Sequence, residues 1–483
     1  MNTQSNQETL FGHPKGLFFL FFAELWERFS FYGMRALLML YMTDHLLYSD
    51  KVSFGVFAAY GSLVYVTPLI GGMIADRVLG YKKSIVLGGI LMALGHFVLA
   101  IEHPIMFYTA LALLIVGNGF FKPNISSLVG SLYDKGDNRR DSGFMIFYMG
   151  VNIGGWIAPL LCGWLGISYG WHYGFGLAGI GMLFGLFVFN HASRKGIFGE
   201  HGNVTNTELY EKKFGPLSTQ KLIILGALLL VPVMALIVRF NEFEHYLIWL
   251  VSVVILFVVI FIYRQSTKTE KGQLLVLVYF TSLACVFFIV FEQAGSSLTL
   301  FTERNVNLKW INASQSNSLN SAYIVLLAIP FTWLWTYLSR IKMNPNSPVK
   351  MGLGLVLVGV GFLIFGCSSN SMNANAQVPM MFLVMGVFVY TIGELFLSPI
   401  GLSKVTELSP KKYVAFLMGV WFLASFYGHF FAGKIAQLTT VKEGQESIFT
   451  QGIFKSITPK ITGLDYELLA SAGEQHLQLY SYV

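Results

Sequence analysis

Thirteen long apolar runs separated by short polar loops constrain this chain more than any other feature. They fall at roughly 16–47, 53–75, 84–101, 105–132, 143–168, 172–192, 220–240, 245–263, 273–301, 319–339, 350–368, 379–403 and 412–437. A helix needs about 20 apolar residues to cross a bilayer, so thirteen crossings take up ~260 residues. Apolar residues make up 54% of the 483, and the spans absorb almost all of them. The charged fraction, 12%, is about half that of a soluble domain. A soluble enzyme with one anchor, a disordered chain and a fibrous chain are all excluded. Runs longer than ~25 residues imply tilted or protruding helices.

The net charge of +7 does not indicate nucleic acid, because the basic residues lie in alternate loops. One set holds Arg77, Lys82 and Lys83; Lys135, Arg139 and Arg140; Arg194, Lys195, Lys212, Lys213 and Lys221. It continues with Arg264, Lys268 and Lys271; Arg340, Lys342 and Lys350; Lys404, Lys411 and Lys412. The opposite set, up to residue 436, holds Lys51, Arg239, Arg304 and Lys309. Positive charge stays inside, so the first set and the polar N-terminus, 1–15, are expected in the cytoplasm. Residues 1–15 are not a secretory signal, since the following run carries Glu24, Glu27 and Arg28 at its centre.

Residues 193–219 read as a cytoplasmic link after six helices (16–192). Residues 438–483 read as a polar extracytoplasmic segment ending in the opening of a further, truncated helix. Cys162, Cys285 and Cys367 stand far apart, with no metal or disulfide spacing.

A charge inside a spanning helix costs at least ~2.5–3.5 kcal/mol, so each needs a reason. The first helix carries Glu24, Glu27, Arg28, Phe31, Tyr32 and Arg35, which steps of three and four place on one stripe. Such a stripe faces partner helices or a wet cavity rather than lipid. Lys122 lies in a glycine-rich stretch before Pro123, Asn152 among glycines, Glu292 after an apolar run, and Glu394 after Gly393. Acids come from both halves of the chain and membrane-depth bases mainly from the first. Cationic and anionic walls suit a zwitterion whose carboxylate meets Arg or Lys and whose ammonium meets Glu. Carboxyls in low dielectric can also carry protons near neutral pH. A carrier moving a small zwitterion with protons follows.

Four segments resemble the signatures of the proton-dependent oligopeptide transporters, the POT or PTR2 family of the major facilitator superfamily. They are Glu24-Leu25-Trp26-Glu27-Arg28-Phe29-Ser30-Phe31-Tyr32-Gly33, the second-helix stretch Gly71–Gly80, Phe144–Gly154, and Gly393–Ser403. They occur in order, and the likeness extends across residues 24–430. The resemblance implies an all-α integral membrane protein of the major facilitator fold: two six-helix bundles with two inserted helices between them. Residues 220–263 would be the inserted pair and 273–437 helices seven to eleven, with the last helix cut short.

Carried over residue by residue, the resemblance implies that Glu24, Glu27, Arg28, Lys122 and Glu292 couple protons to gating. Lys122 would pair with the first-helix acids, and Arg35 with Glu292. Arg35 and Lys122 would attract the peptide carboxylate. Glu394, Asn152 and Asn320 would hold the amino terminus, while Tyr32, Tyr65 and Trp421 line the cavity. Asp76 and Arg77, with Lys82 and Lys83 beyond them, would serve gating at a cytoplasmic turn. Three positions depart from the pattern: Asn320 lacks the usual following Pro, Phe31 replaces a frequent Tyr, and Trp156 stands where a smaller aliphatic is typical. Ala58 occupies the place of a mammalian proton-binding His, so coupling should rest on carboxylates, as in bacterial relatives.

His96, His172 and His429 read as satisfied structural histidines, and the glycines as close helix packing. Gly71-Gly72 lacks a Walker-type lysine pattern, so ATP drive is not expected. The expectation is a proton-coupled symporter that imports di- and tripeptides across a bacterial cytoplasmic membrane by alternating access. It would work as a monomer in the lipid bilayer, with no cofactor beyond the coupling proton, no enzyme activity and no nucleic acid. The alternative is the same carrier fold moving a peptidomimetic drug, nitrate or another small zwitterionic or anionic solute.

Overall fold

Each of the thirteen apolar runs holds one long helix in a computed structural model of the chain. It describes residues 9–134, 137, 139–204, 206–410 and 413–440, and only the backbone of 398–400, 402, 403, 406 and 414–416. The expected extracytoplasmic tail beyond 440, like residues 1–8, lies outside the described residues.

A short antiparallel hairpin, β1 (Thr9–Leu10) and β2 (His13–Pro14), leads into α1 (Lys15–Leu40), which ends in a π turn at Tyr41–His45. Then come α2 (Asp50–Ile74), a second π turn (Ala75–Leu79), α3 (Gly80–Leu99), α4 (Pro104–Ser131), α5 (Arg140–Tyr169) and α6 (Trp171–Arg194). The link contains α7 (Thr207–Glu211) and the hairpin of β3 (Lys213–Phe214) with β4 (Leu217–Ser218). Helices α8 (Thr219–Arg239), α9 (Glu244–Gln265) and α10 (Lys268–Phe291) follow. After α10 the chain makes a 3-10 turn at Glu292–Gly295 before α11 (Ser297–Asn305). The remainder is β5 (Val306–Asn307), α12 (Ala313–Ser316), α13 (Ser318–Arg340), α14 (Ser347–Cys367), β6 (Val378–Pro379), α15 (Met380–Leu408) and α16 (Val414–Leu438).

Ten helical stretches among the described residues are long and apolar enough to cross a membrane. One of them, Asp50–Leu99, has 50 residues; at about 1.5 Å per residue that is two crossings, not one. The break falls at Gly80, whose φ of +71° is left-handed backbone that glycine adopts without strain. Helix α1 is not among the ten, because Glu24, Glu27, Arg28 and Arg35 crowd its centre.

The chain divides into two units, Met1–Leu37 with Leu63–Phe240 and Leu38–Ser62 with Asn241–Val483. In the first, α3 and α4 meet at Gly88 and Gly117, where a Cβ would fall 2.5 Å from Gly117 O and 2.8 Å from Gly88 O respectively. Any larger side chain would push the two helices apart. Thr67 Oγ1 donates to Ile115 O at 3.0 Å and Asn118 Nδ2 to Val64 O at 2.9 Å, tying α2 to α4. Helix α8 packs here, Ala227 and Val231 lying against Leu113, Val116 and Phe120.

In the second unit a core of Leu277, Phe280, Phe287, Phe301, Val387, Tyr390 and Trp421 joins α10, α11, α15 and α16. Helix α9 meets α16 through Ser252 Oγ and Tyr427 Oη, 2.8 Å apart. Arg304 grips Asp50 with two hydrogen bonds of 2.6 and 2.8 Å, fixing the start of α2 to α11. The parallel pairing of Val306 with Val378 closes the same end.

Candidate functional site

In the first unit the α1 stripe is buried as a cluster of paired charges. Glu24 and Glu27 are fully buried and Arg28 is 7% exposed. The Arg28 guanidinium grips both oxygens of Glu27, Nη2 donating to Oε1 at 2.5 Å. Its Nε also lies 3.5 Å from Glu24 Oε1, the i to i+4 step of one helix face. Lys122 Nζ donates to that same Glu24 oxygen from α4. Among the described residues Glu24 Oε2 has no hydrogen-bond partner. The Arg28 guanidinium also stacks over the Phe31 ring, 4.8 Å from its centroid.

Two cations therefore stand against two carboxylates in a space from which water is largely excluded. Removing either member of such a pair leaves an unpaired buried charge. Adding a proton to a carboxylate frees a cation instead, and that is the elementary step by which a proton can change which groups are tied together.

The other first-unit candidates are distributed around this cluster. Tyr32, Arg35 and Tyr65 are half-buried on α1 and α2. Asn152 is 6% exposed, and its Nδ2 donates to Tyr148 O of its own helix at 3.0 Å. Asp76 and Arg77 are exposed on the π turn between α2 and α3.

The second unit holds a separate group of buried polar side chains. Asn320 Nδ2 on α13 donates to Glu394 Oε2 on α15 at 2.9 Å and to Thr391 Oγ1 at 3.0 Å. Glu292 is 2% exposed at the break between α10 and α11, and Trp421 is 6% exposed on α16. The apolar run 273–301 thus contains a broken helix, which sequence periodicity does not reveal. Broken helices at membrane depth are tolerated where they line a site or are buried in protein.

Of the three histidines read as satisfied, one corrects the sequence reading. His429 has partners at both nitrogens: its Nε2 lies 3.1 Å from Glu292 Oε2, and its Nδ1 is 2.9 Å from Ser425 O. Its position after Gly428 in an otherwise apolar helix was the available signal. His96 is fully buried with neither ring nitrogen hydrogen-bonded among the described residues, so it is not satisfied. His172 pairs with Glu102 at 2.9 Å. Among the described residues no group of three His, Cys, Asp or Glu could hold a metal ion.

Long apolar helices with polar side chains buried in both units fit a membrane transporter, and the likeness to solved structures places the fold among transporters of the major facilitator type. The chain belongs to the POT family, whose PTR2 profile matches residues 82–452. It is 39% identical over 444 residues to the uncharacterized transporter YclF of Bacillus subtilis, covering 87% of each chain. It is 36% identical over 450 residues to a di-/tripeptide transporter of Lactococcus lactis, covering 88% of this chain and 89% of that one. A crystal structure of a peptide transporter POT in complex with sulfate matches with a TM-score of 0.79 and 32% identity, over 98% of this chain and 97% of that one.

Proposed function

We propose that this chain is a proton-coupled symporter that imports di- and tripeptides across a bacterial cytoplasmic membrane by alternating access, with its N-terminus in the cytoplasm. The observation that carries the reading is the cluster of Glu24, Glu27 and Arg28 on α1 with Lys122 on α4, two acids and two bases paired where two helices meet. The peptide transporter among its relatives supports the substrate class.

Protonation of Glu24 releases Lys122 toward the substrate carboxylate, and protonation of Glu27 loosens Arg28. Glu394 and Asn320, already hydrogen-bonded to each other, receive the peptide amino group. Tyr32, Tyr65 and Trp421 contact the peptide backbone and side chains, and Asp76 with Arg77 gates the cytoplasmic turn. A zwitterionic dipeptide carries no net charge, so each accompanying proton adds ~2.3 kcal/mol of drive per 100 mV of membrane potential. One polypeptide supplies all of these groups, and the transporter works as a monomer.

The test is uptake of labelled dialanine into proteoliposomes under an imposed pH gradient. Saturable uptake that stops when the gradient is collapsed supports the proposal. Uptake that is indifferent to the gradient, or competed equally by single amino acids, refutes it.

A further inference from the structure

A crevice of about 800 Å³ opens in the first unit between the start of α3, the end of α6, the link after α6 and the first turns of α8. That size lies within the roughly 300–1,000 Å³ of small-molecule sites. Its polar end carries Lys82 and Lys83, and its walls are Val86 and Ile90 of α3 with Ile224 of α8. Steps of three and four put the lysines, Val86 and Ile90 on one helix face. At 1.5 Å per residue Ile90 stands about 12 Å further along α3 than Lys82. The crevice is therefore basic at the end where α3 and α8 enter the membrane and apolar towards its interior.

The lysines are held by neutral groups. Lys82 Nζ donates to Gly199 O at 2.6 Å and to Asn203 Oδ1 at 2.8 Å, which leaves a third ammonium hydrogen. Lys83 Nζ lies over the Tyr210 ring, 3.7 Å from its centroid. Among the described residues neither lysine forms an ion pair. The crevice does contain a carboxylate, Glu200, and its Oε2 accepts from Asn203 Nδ2 at 2.5 Å. Two cations against one carboxylate leave the polar end net positive. Ile90, at 44% exposed, leaves the apolar end open at its side.

We propose that this crevice binds an anionic membrane phospholipid, with the phosphate on Lys82 and Lys83 and an acyl chain along Val86, Ile90 and Ile224. Basic pockets beside spanning helices select anionic headgroups in this way. The apolar walls set the lipid apart from free phosphate, which has nothing to fill them. The bound lipid bridges α3, α8 and the link that leads from α6 into α8. The inference rests on the membrane-spanning reading of the helices and not on the proposed peptide substrate.

Native mass spectrometry of the full-length protein in mild detergent tests it, with equal phosphatidylglycerol and phosphatidylcholine added. Each lysine near a membrane surface contributes about 1 kcal/mol, about fivefold in affinity, so phosphatidylglycerol adducts should dominate. Lys82→Gln with Lys83→Gln should abolish that preference while leaving phosphatidylcholine adducts. Val86→Trp, which keeps both lysines, should reduce adducts of both lipids. The proposal fails if the unaltered protein retains the two lipids equally, if the preference survives loss of both lysines, or if excess inorganic phosphate displaces the lipid as well as phosphatidylglycerol does. The comparisons on the unaltered protein decide the matter even if the double variant does not fold.

Discussion

His429 Nε2 stands 3.1 Å from Glu292 Oε2, and its other nitrogen, Nδ1, lies 2.9 Å from the carbonyl of Ser425. A carbonyl only accepts, so Nδ1 carries a hydrogen and Nε2 is left to face the carboxylate. On helix α2, a Cβ at Gly61 would collide with this imidazole, so glycine there leaves room for the ring. If Glu292 couples protons to transport, His429→Gln, which removes its imidazole partner, should lower pH-driven uptake. Gly61→Ala should act in the same direction by displacing the ring. Uptake in proteoliposomes under an imposed pH gradient checks this, and full activity in both variants would count against it.

Lys122 meets Glu24 from a different helix, whereas Arg28 meets it from the same one. Lys122→Ala therefore leaves a buried carboxylate with only its 3.5 Å contact to Arg28. Loss of one partner of a fully buried pair costs about 3–5 kcal/mol; the Lys122 side chain is 32% exposed, which puts the expected cost at or below the lower end. Glu24→Gln combined with Lys122→Gln should recover most of that stability but not transport. Thermal unfolding in detergent and uptake, measured on the same preparations, separate the two effects. A double variant that transports normally would remove the cluster from the coupling proposal.

The helices and the α1 charge stripe were legible in the sequence because both rest on local spacing: twenty apolar residues for a span, and steps of three and four for a face. The cost of a charge in lipid showed only that Glu24 and Lys122 each need a partner; that they partner one another was implied by the resemblance to the family. The break at Glu292–Gly295 had a local signal, the polar stretch Glu292-Gln293-Ala294-Gly295-Ser296-Ser297, but the apolar residues on both sides let the run read as one span. The pairing of His429 with Glu292 joins residues more than a hundred positions apart, and no local pattern encodes that register. His96 marks the opposite limit: the expectation that a buried imidazole is satisfied is a general tendency, and here packing against apolar neighbours overrides it.

The loop between α4 and α5 holds the N-terminal hairpin through polar contacts whose pH response can be stated. Arg139 Nη1 donates to Gly12 O at 2.9 Å, and its Nη2 lies 2.7 Å from Asp137 Oδ2. Hydrogen bonds from Arg139 hold the Asp137 carboxyl down at about 2, below the usual carboxylate range. A depressed acid adds stability above its unfolded value, about 3.9, and loses it as the pH falls through about 2. Hydrogen exchange of residues 9–14 should thus be equally protected at pH 7 and pH 5 as far as this pair is concerned, and Arg139→Ala should raise exchange at both. Loss of protection between pH 7 and pH 5 in Asp137→Asn as well as in the parent chain would place the pH response elsewhere.

Glu394 accepts from Asn320 at 2.9 Å, and an amide at position 394 would keep that hydrogen bond while removing the charge. Glu394→Gln should fold normally for this reason, in contrast to Glu394→Ala, which strands the Asn320 donor. If the carboxylate receives the peptide amino group, Glu394→Gln removes a charge-assisted bond of about 1.5–3 kcal/mol, roughly a ten- to hundredfold loss of dipeptide affinity. An N-acetylated dipeptide lacks that ammonium, so its weaker binding should be indifferent to the substitution. Competition against labelled dialanine, with free and acetylated peptides in parallel, reads both quantities. Equal losses for the two peptides would show that Glu394 shapes the cavity rather than meeting the amino terminus.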